Sequence, residues 1–331
     1  MAPPKLIWSA NCLKALAPPM IPMFLKDVLA ILKRHGINHI DTAKPRASTE
    51  ILLAMTRAPA NFLVDSMCIV PDDMGSAQKF TTSIAERLDQ SLKRLKTDTA
   101  WIFYLHNPDP EESPPLEDML SIVNDLYLSF SFYKFGLSNF SPADVRKIIA
   151  ICKHRKWVRP SVYKGHYSPL NPDINRTLLP ILRENKISFY ADTLTTTVFV
   201  AETVSVEVDV PPKEEVPDLD EDAAILQSEN SFSESDFGEP EFCSETRALL
   251  KVWDDISVNS GISKDELSNR WVVHHSALKG EFGDKVLVGP ETLGEVEGAL
   301  DGIARGPLPE DVAQSITGIF EVIVKRGPDY A

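Results

Sequence analysis

A chain of 331 residues, 43% hydrophobic and 25% charged, has the balance of an ordinary globular protein and enough material for one large α/β barrel or two smaller domains. Its formal net charge of −14 argues against a nucleic-acid binder by location as well as by sign: residues 202–245 hold 15 acidic residues and one base, Lys213, and the remainder is neutral, with 33 acids and 33 bases. Four cysteines with no CxxC pair suit a reduced, cytoplasmic protein, and five prolines within residues 3–22 break any apolar run that could act as a leader or a membrane span.

In chain order, short apolar runs predict strands at Leu6–Ser9, Asn38–Asp41, Phe62–Met67, Trp101–His106, Ser131–Ser138, Ser161–His166, Ile187–Asp192 and Lys285–Gly289. Helical patterns lie between them, among others over Phe24–His35, Ser76–Leu95, Pro142–His154 and Arg176–Glu184. Ser141-Pro142-Ala143-Asp144 offers an N-cap, a proline at the first helical position and an early acid. Strands alternating with helices predict a single-domain (β/α)8 TIM barrel, with chemistry at the C-terminal strand ends. A doubly wound open sheet is the alternative from pattern alone, but its usual GxGxxG turn is absent, and Ser9-Ala10-Asn11 follows the first strand. The acidic, Ser/Pro-rich stretch at 202–245 interrupts this rhythm after the seventh strand. It reads as a loop or flap, or as a lid or protein-partner segment over the mouth.

Several stretches carry a family resemblance, in order and at matching spacing. They are Gly36-Ile37-Asn38-His39-Ile40-Asp41-Thr42-Ala43, Phe103-Tyr104-Leu105-His106-Asn107-Pro108-Asp109, Phe135-Gly136-Leu137-Ser138-Asn139-Phe140 and Ser161-Val162-Tyr163-Lys164-Gly165-His166. Arg270-Trp271 and Val288-Gly289 with Leu293 extend the match. Together these resemble the aldo-keto reductases, nearest the aflatoxin-aldehyde reductases and their fungal relatives. The resemblance implies a barrel that reduces small carbonyl compounds with NADPH, a tyrosine giving the proton while lysine, histidine and aspartate tune it. It places Asp41 and His106 in the catalytic set. It also assigns Ser138 and Asn139 to the nicotinamide carboxamide.

Against that pattern, Arg46 stands in the tyrosine's place and Met67 in the lysine's. Arginine holds its proton too tightly to be a good acid, and methionine does not ionise. Lys164 replaces the expected glutamine, Asp192 replaces the ring that would stack on nicotinamide, and Glu291 and Glu295 flank the helix start expected to take the 2′-phosphate. Asp41, Arg46, Asp65, His106, Lys164 and Asp192 are all expected near C-terminal strand ends, where Arg46 or Lys164 is placed to replace the lost lysine beside Asp41. Lost or altered hydride transfer follows, leaving either a non-redox proton-transfer catalyst on a small molecule or a pseudoenzyme. A reductase using Tyr104, Tyr163 or Tyr167 as donor is the alternative. No metal-ligand spacing or GxSxG elbow is present, and His274-His275 reads as packing.

Overall fold

The computed structural model of the protein describes residues 2–10, 21–42, 47–69, 77–106, 115–168, 174–193, 244–290 and 292–326. Arg46, Glu291 and residues 202–243 of the acidic stretch therefore lie outside the described residues. Among the described residues, nine strands form one parallel sheet: β1 (Lys5–Ser9), β2 (His39–Asp41), β3 (Leu63–Val64), β4 (Ser66–Ile69), β5 (Ala100–His106), β6 (Phe132–Ser138), β7 (Val162–His166), β8 (Ser188–Asp192) and β9 (Lys285–Val288). Their order is β3-β2-β1-β9-β8-β7-β6-β5-β4, a nearly closed (β/α)8 barrel. The two ends of this ladder, β3 and β4, are consecutive in the chain. They are halves of the third expected strand, so the seam closes through the backbone of Asp65.

The strand breaks at Asp65 for a visible reason. Its amide still donates to the Ile40 carbonyl (3.1 Å), but its own carbonyl accepts from the Thr42 hydroxyl (3.0 Å). Upstream of it the chain pairs with β2, and downstream with β5.

Helices cover the outside: α1 (Ile21–Arg34), α2 (Ala47–Met55), α3 (Ala77–Leu95), α4 (Leu116–Leu128), α5 (Pro142–Arg155), α6 (Ile174–Thr177), α7 (Leu179–Glu184), α8 (Ser244–Ser260), α9 (Lys264–His274), α10 (Leu293–Ala304) and α11 (Glu310–Arg326). The helix expected over 176–184 is two short helices, broken at Leu178. A continuous helix would set the Pro180 ring against the Arg176 carbonyl and lose a hydrogen bond there. Among the described residues no helix is long and apolar enough to cross a membrane.

Alternation along the strands sorts side chains into two cores. Trp8, Ile40, Phe103, Leu105 and Leu137 face the helices, in one cluster with Leu25, Leu32 and Val145. Ile7, Met67, Ile102, Tyr104, Val162, Tyr190 and Leu287 fill the barrel. Gly136 makes room for Tyr104, since a Cβ there would lie 2.4 Å from its ring. Each large apolar side chain buried this way contributes about 1.5–3 kcal/mol.

Candidate active site at the barrel mouth

The register aligns a row of inward positions across five strands: His106 opposite Ser138, Ser138 opposite Lys164, Lys164 opposite Tyr190, and Tyr190 opposite Lys285. Lys164 lies in the middle of this row, and its four-carbon stem spans the barrel. Its Nζ donates to both carboxylate oxygens of Asp41, at 2.9 and 3.1 Å. The two side chains are 5% and 2% exposed, and the ammonium sits 4.9 Å above the Tyr104 ring. Lys164 thus places an ammonium from β7 on the Asp41 carboxylate. Met67 itself is packed in the apolar cluster inside the barrel. A buried pair of this kind is not cheap to assemble, because both charges give up water, and its geometry has to recover that loss.

His106 ends β5, and its Nδ1 is 3.1 Å from the Ser138 hydroxyl. Ser138 is buried, while Asn139 is exposed in the left-handed region at φ 61°. The turn after them is fixed by α5, whose cap matches the sequence reading: the Ser141 hydroxyl accepts from the Asp144 amide with Pro142 opening the helix. Two of the candidate residues, Asp41 and Lys164, are therefore in direct contact, and His106 with Ser138 forms a second contact on the next two strands, β5 and β6. Asp192 ends β8 and is half-buried, paired in register with His166 and Leu287.

Other expectations resolve differently. At the start of α10, Thr292 and Glu295 form a capping box, so the amides of Thr292 and Glu295 are already taken by side-chain oxygens of the same turn. The three candidate tyrosines are bound elsewhere or buried. Tyr163 donates to the Phe140 carbonyl, and burial pushes its hydroxyl up to about 12. Tyr167 donates to Asn175 and accepts from the Ala277 amide, with burial again raising its pKa. Tyr104 is fully buried, and desolvation together with the charges of Asp65 and Asp41 holds its hydroxyl well above the ordinary range. His275 accepts from the Leu308 amide, and His274 lies against the Ile303 carbonyl.

Asp65 does not join Asp41 at the mouth. Its Oδ1 is 2.7 Å from Nε2 of His39, both side chains are 1% exposed, and Nδ1 of the same ring is 2.8 Å from Nζ of Lys285. Burial raises the Asp65 carboxyl above its usual range, opposed by His39. This chain of three was not foreseen from the sequence. The available signal was alternation: His39 is two residues before Asp41 and so shares its inward face.

A family model described as the aldo/keto reductase family matches residues 22–321. An aldo-keto reductase of Pseudocercospora fijiensis is 29% identical over 318 residues, covering 92% of this chain and all of that protein. Aldo-keto reductase pigE of Monascus ruber is 28% identical over 323 residues, 92% of this chain and 90% of its own length. Aflatoxin B1 aldehyde reductase member 2 of Mus musculus is 29% identical over 251 residues, 75% of this chain and 65% of its own length.

Proposed function

This chain belongs to the aldo-keto reductase family, and from that premise we propose that it acts on a small oxygenated molecule at the barrel mouth by proton transfer, in place of conventional hydride transfer. The observation that carries this reading is the buried Lys164–Asp41 pair. An ammonium has three donors, and Asp41 occupies two directions, leaving a third for a substrate oxygen. A fixed positive charge in a water-poor mouth stabilises an enolate or alkoxide as it forms. His106, its ring oriented by Ser138, is the group that moves the proton. Isomerisation, dehydration or cyclisation of a carbonyl compound fits this set.

The family generally uses NADP(H), but the residues present fit that cofactor poorly. Lys164 turns inward to Asp41 where a glutamine would face nicotinamide, Asp192 brings a carboxylate where a ring would stack, and Glu295 closes the helix start expected to take a phosphate. A reductase with a non-standard proton donor is the second reading, favoured by the Ser138–Asn139 turn and the rebuilt lysine–aspartate pair. We place this chain in small-molecule secondary metabolism in the cytoplasm, a reading supported by its membership of a family with fungal aldo-keto reductases among its relatives. In a pseudoenzyme the same mouth would be a scaffold, with residues 202–245 engaging a protein partner.

Titration of the purified protein with NADPH, followed by cofactor fluorescence, separates these readings. Proton transfer without hydride predicts no saturation at millimolar cofactor. Saturation in the low-micromolar range would put the reductase first.

A further inference from the structure

A second polar chain, His39, Asp65 and Lys285, lies inside the barrel below the Lys164–Asp41 pair, and the charges of that pair are felt at Asp65. Lys285, Lys5 and His39 each begin their strands, on β9, β1 and β2, so the amine of this group faces the N-terminal end while Asp65, between β3 and β4, reaches toward the barrel centre. Lys5 and Lys285 are register partners on adjacent strands, and Lys134 of β6 lies over the Trp101 ring close enough to act on Lys285. His39, with Nε2 facing the Asp65 carboxylate, donates there and presents the lone pair of Nδ1 to the lysine nitrogen. The second carboxylate oxygen of Asp65 is buried without a hydrogen-bond partner, so the acid is bound to the rest of the group through His39 alone.

We propose that Lys285 is a reactive amine that condenses reversibly with small anionic aldehydes, with His39 and Asp65 as its proton relay and Lys5 and Lys134 as its anion-binding neighbours. An aspartate–histidine pair that withdraws a proton from a neighbouring group is a recurrent way to activate a nucleophile, and an amine gains most when it is also desolvated. The groups facing Lys285 are His39 from β2, Asp65 from the β3–β4 break, Lys5 from β1, Lys134 from β6 and the Tyr190 ring, 5.3 Å away on β8. Burial, with Lys134 and Lys5 adding repulsion against the pull of Asp65, lowers the amine to about 8. In the reaction His39 takes a proton from the ammonium and the nitrogen attacks the aldehyde carbon. The proton returns to the carbinol oxygen, water leaves, and a C=N bond remains. Nothing is oxidised or reduced.

The probe is pyridoxal 5′-phosphate, an anionic aldehyde, added to the full chain at pH 7.5 and trapped with borohydride, with labelled peptides identified by mass. At that pH an amine at about 8 holds roughly two hundred times more neutral form than an ordinary lysine, and its weaker basicity returns a little over one decade, by analogy with thiols. Lys285 is therefore expected to label about ten-fold faster than the exposed lysines. Replacing Lys5 and Lys134 together by alanine, at positions that are exposed and half-buried, should slow labelling at Lys285 several-fold without unfolding the protein. Label spread over exposed lysines with Lys285 no faster than they are, or a rate unchanged in the double variant, would overturn the assignment.

Discussion

This barrel holds two lysine–aspartate sets, one with a buried lysine and one with a half-buried lysine, and joins them differently. At the mouth, Lys164 and Asp41 meet directly, with both carboxylate oxygens bonded to one ammonium. In the other set, Asp65 and Lys285 are separated by the His39 ring, and one oxygen of Asp65 has no partner. Direct contact compensates each charge with its partner. An intervening imidazole leaves the compensation incomplete and lets a proton move along the chain. Residues of the same types thus give a rigid electrostatic anchor in one place and a titratable group in the other.

The largest effect expected from breaking this comparison is at the mouth. Asp41→Asn leaves the Lys164 ammonium buried without its counter-charge, and Lys164→Met does the same to Asp41. Either change should lower unfolding free energy by about 3–5 kcal/mol in urea titrations. The double variant, with neither charge, should recover most of that loss. A double variant as unstable as the singles would mean that the pair is not compensated as the geometry indicates.

Much of this contrast was legible in the sequence, and what was missed has a physical cause. The eight strand runs and the inward position of Asp41 followed from alternation and motif order. The third run broke at Asp65, because a buried polar backbone there found the Thr42 side chain in place of a ladder partner. Lys164 was legible as a candidate replacement beside Asp41, since its stem is long enough to reach across from β7. The His39–Asp65–Lys285 chain was not, because its members are 26 and 246 residues apart along the sequence and only barrel closure brings them together. Of the expected cluster of acids and bases, Asp41 and Lys164 are in contact, Asp65 is bonded to His39, and Arg46 lies outside the described residues.

A smaller effect should appear in the other set, as a pH dependence. Lys285 is lowered to about 8 from an ordinary 10.5, so below pH 8 both folded and unfolded chains carry the proton and the fold bears the full cost of burying it. Between 8 and 10.5 the unfolded chain binds more protons than the folded one, and stability therefore rises with pH across that window. Tyr190 and Tyr104, both raised by burial, stay protonated there. Relative to Lys285→Gln, which lacks this ionisation, the wild-type protein should gain about 1 kcal/mol between pH 8 and pH 10, discounted for the partial exposure of the amine. A stability difference that stays flat over this range would place Lys285 in ordinary solvent.

The smallest effect belongs to the contact that orients the proton-moving group. Ser138→Ala removes the hydroxyl 3.1 Å from Nδ1 of His106, at a position where the ring is only half-buried and water can replace the lost partner. The cost to stability should be about 1 kcal/mol or less. What distinguishes an orienting contact from a merely structural one is the behaviour of the ring itself. In the wild-type protein one orientation, with Nδ1 toward β6, should give a single sharp set of imidazole resonances. In Ser138→Ala the ring loses this contact, so those resonances should broaden or double while the backbone spectrum of β6 and α5 stays in place. A Ser138→Thr variant, which keeps the hydroxyl, should restore the sharp set. If His106 remains sharp in the alanine variant, its orientation is set by the walls of the mouth and Ser138 is not its anchor. The proton-transfer reading would then need another group to aim the histidine.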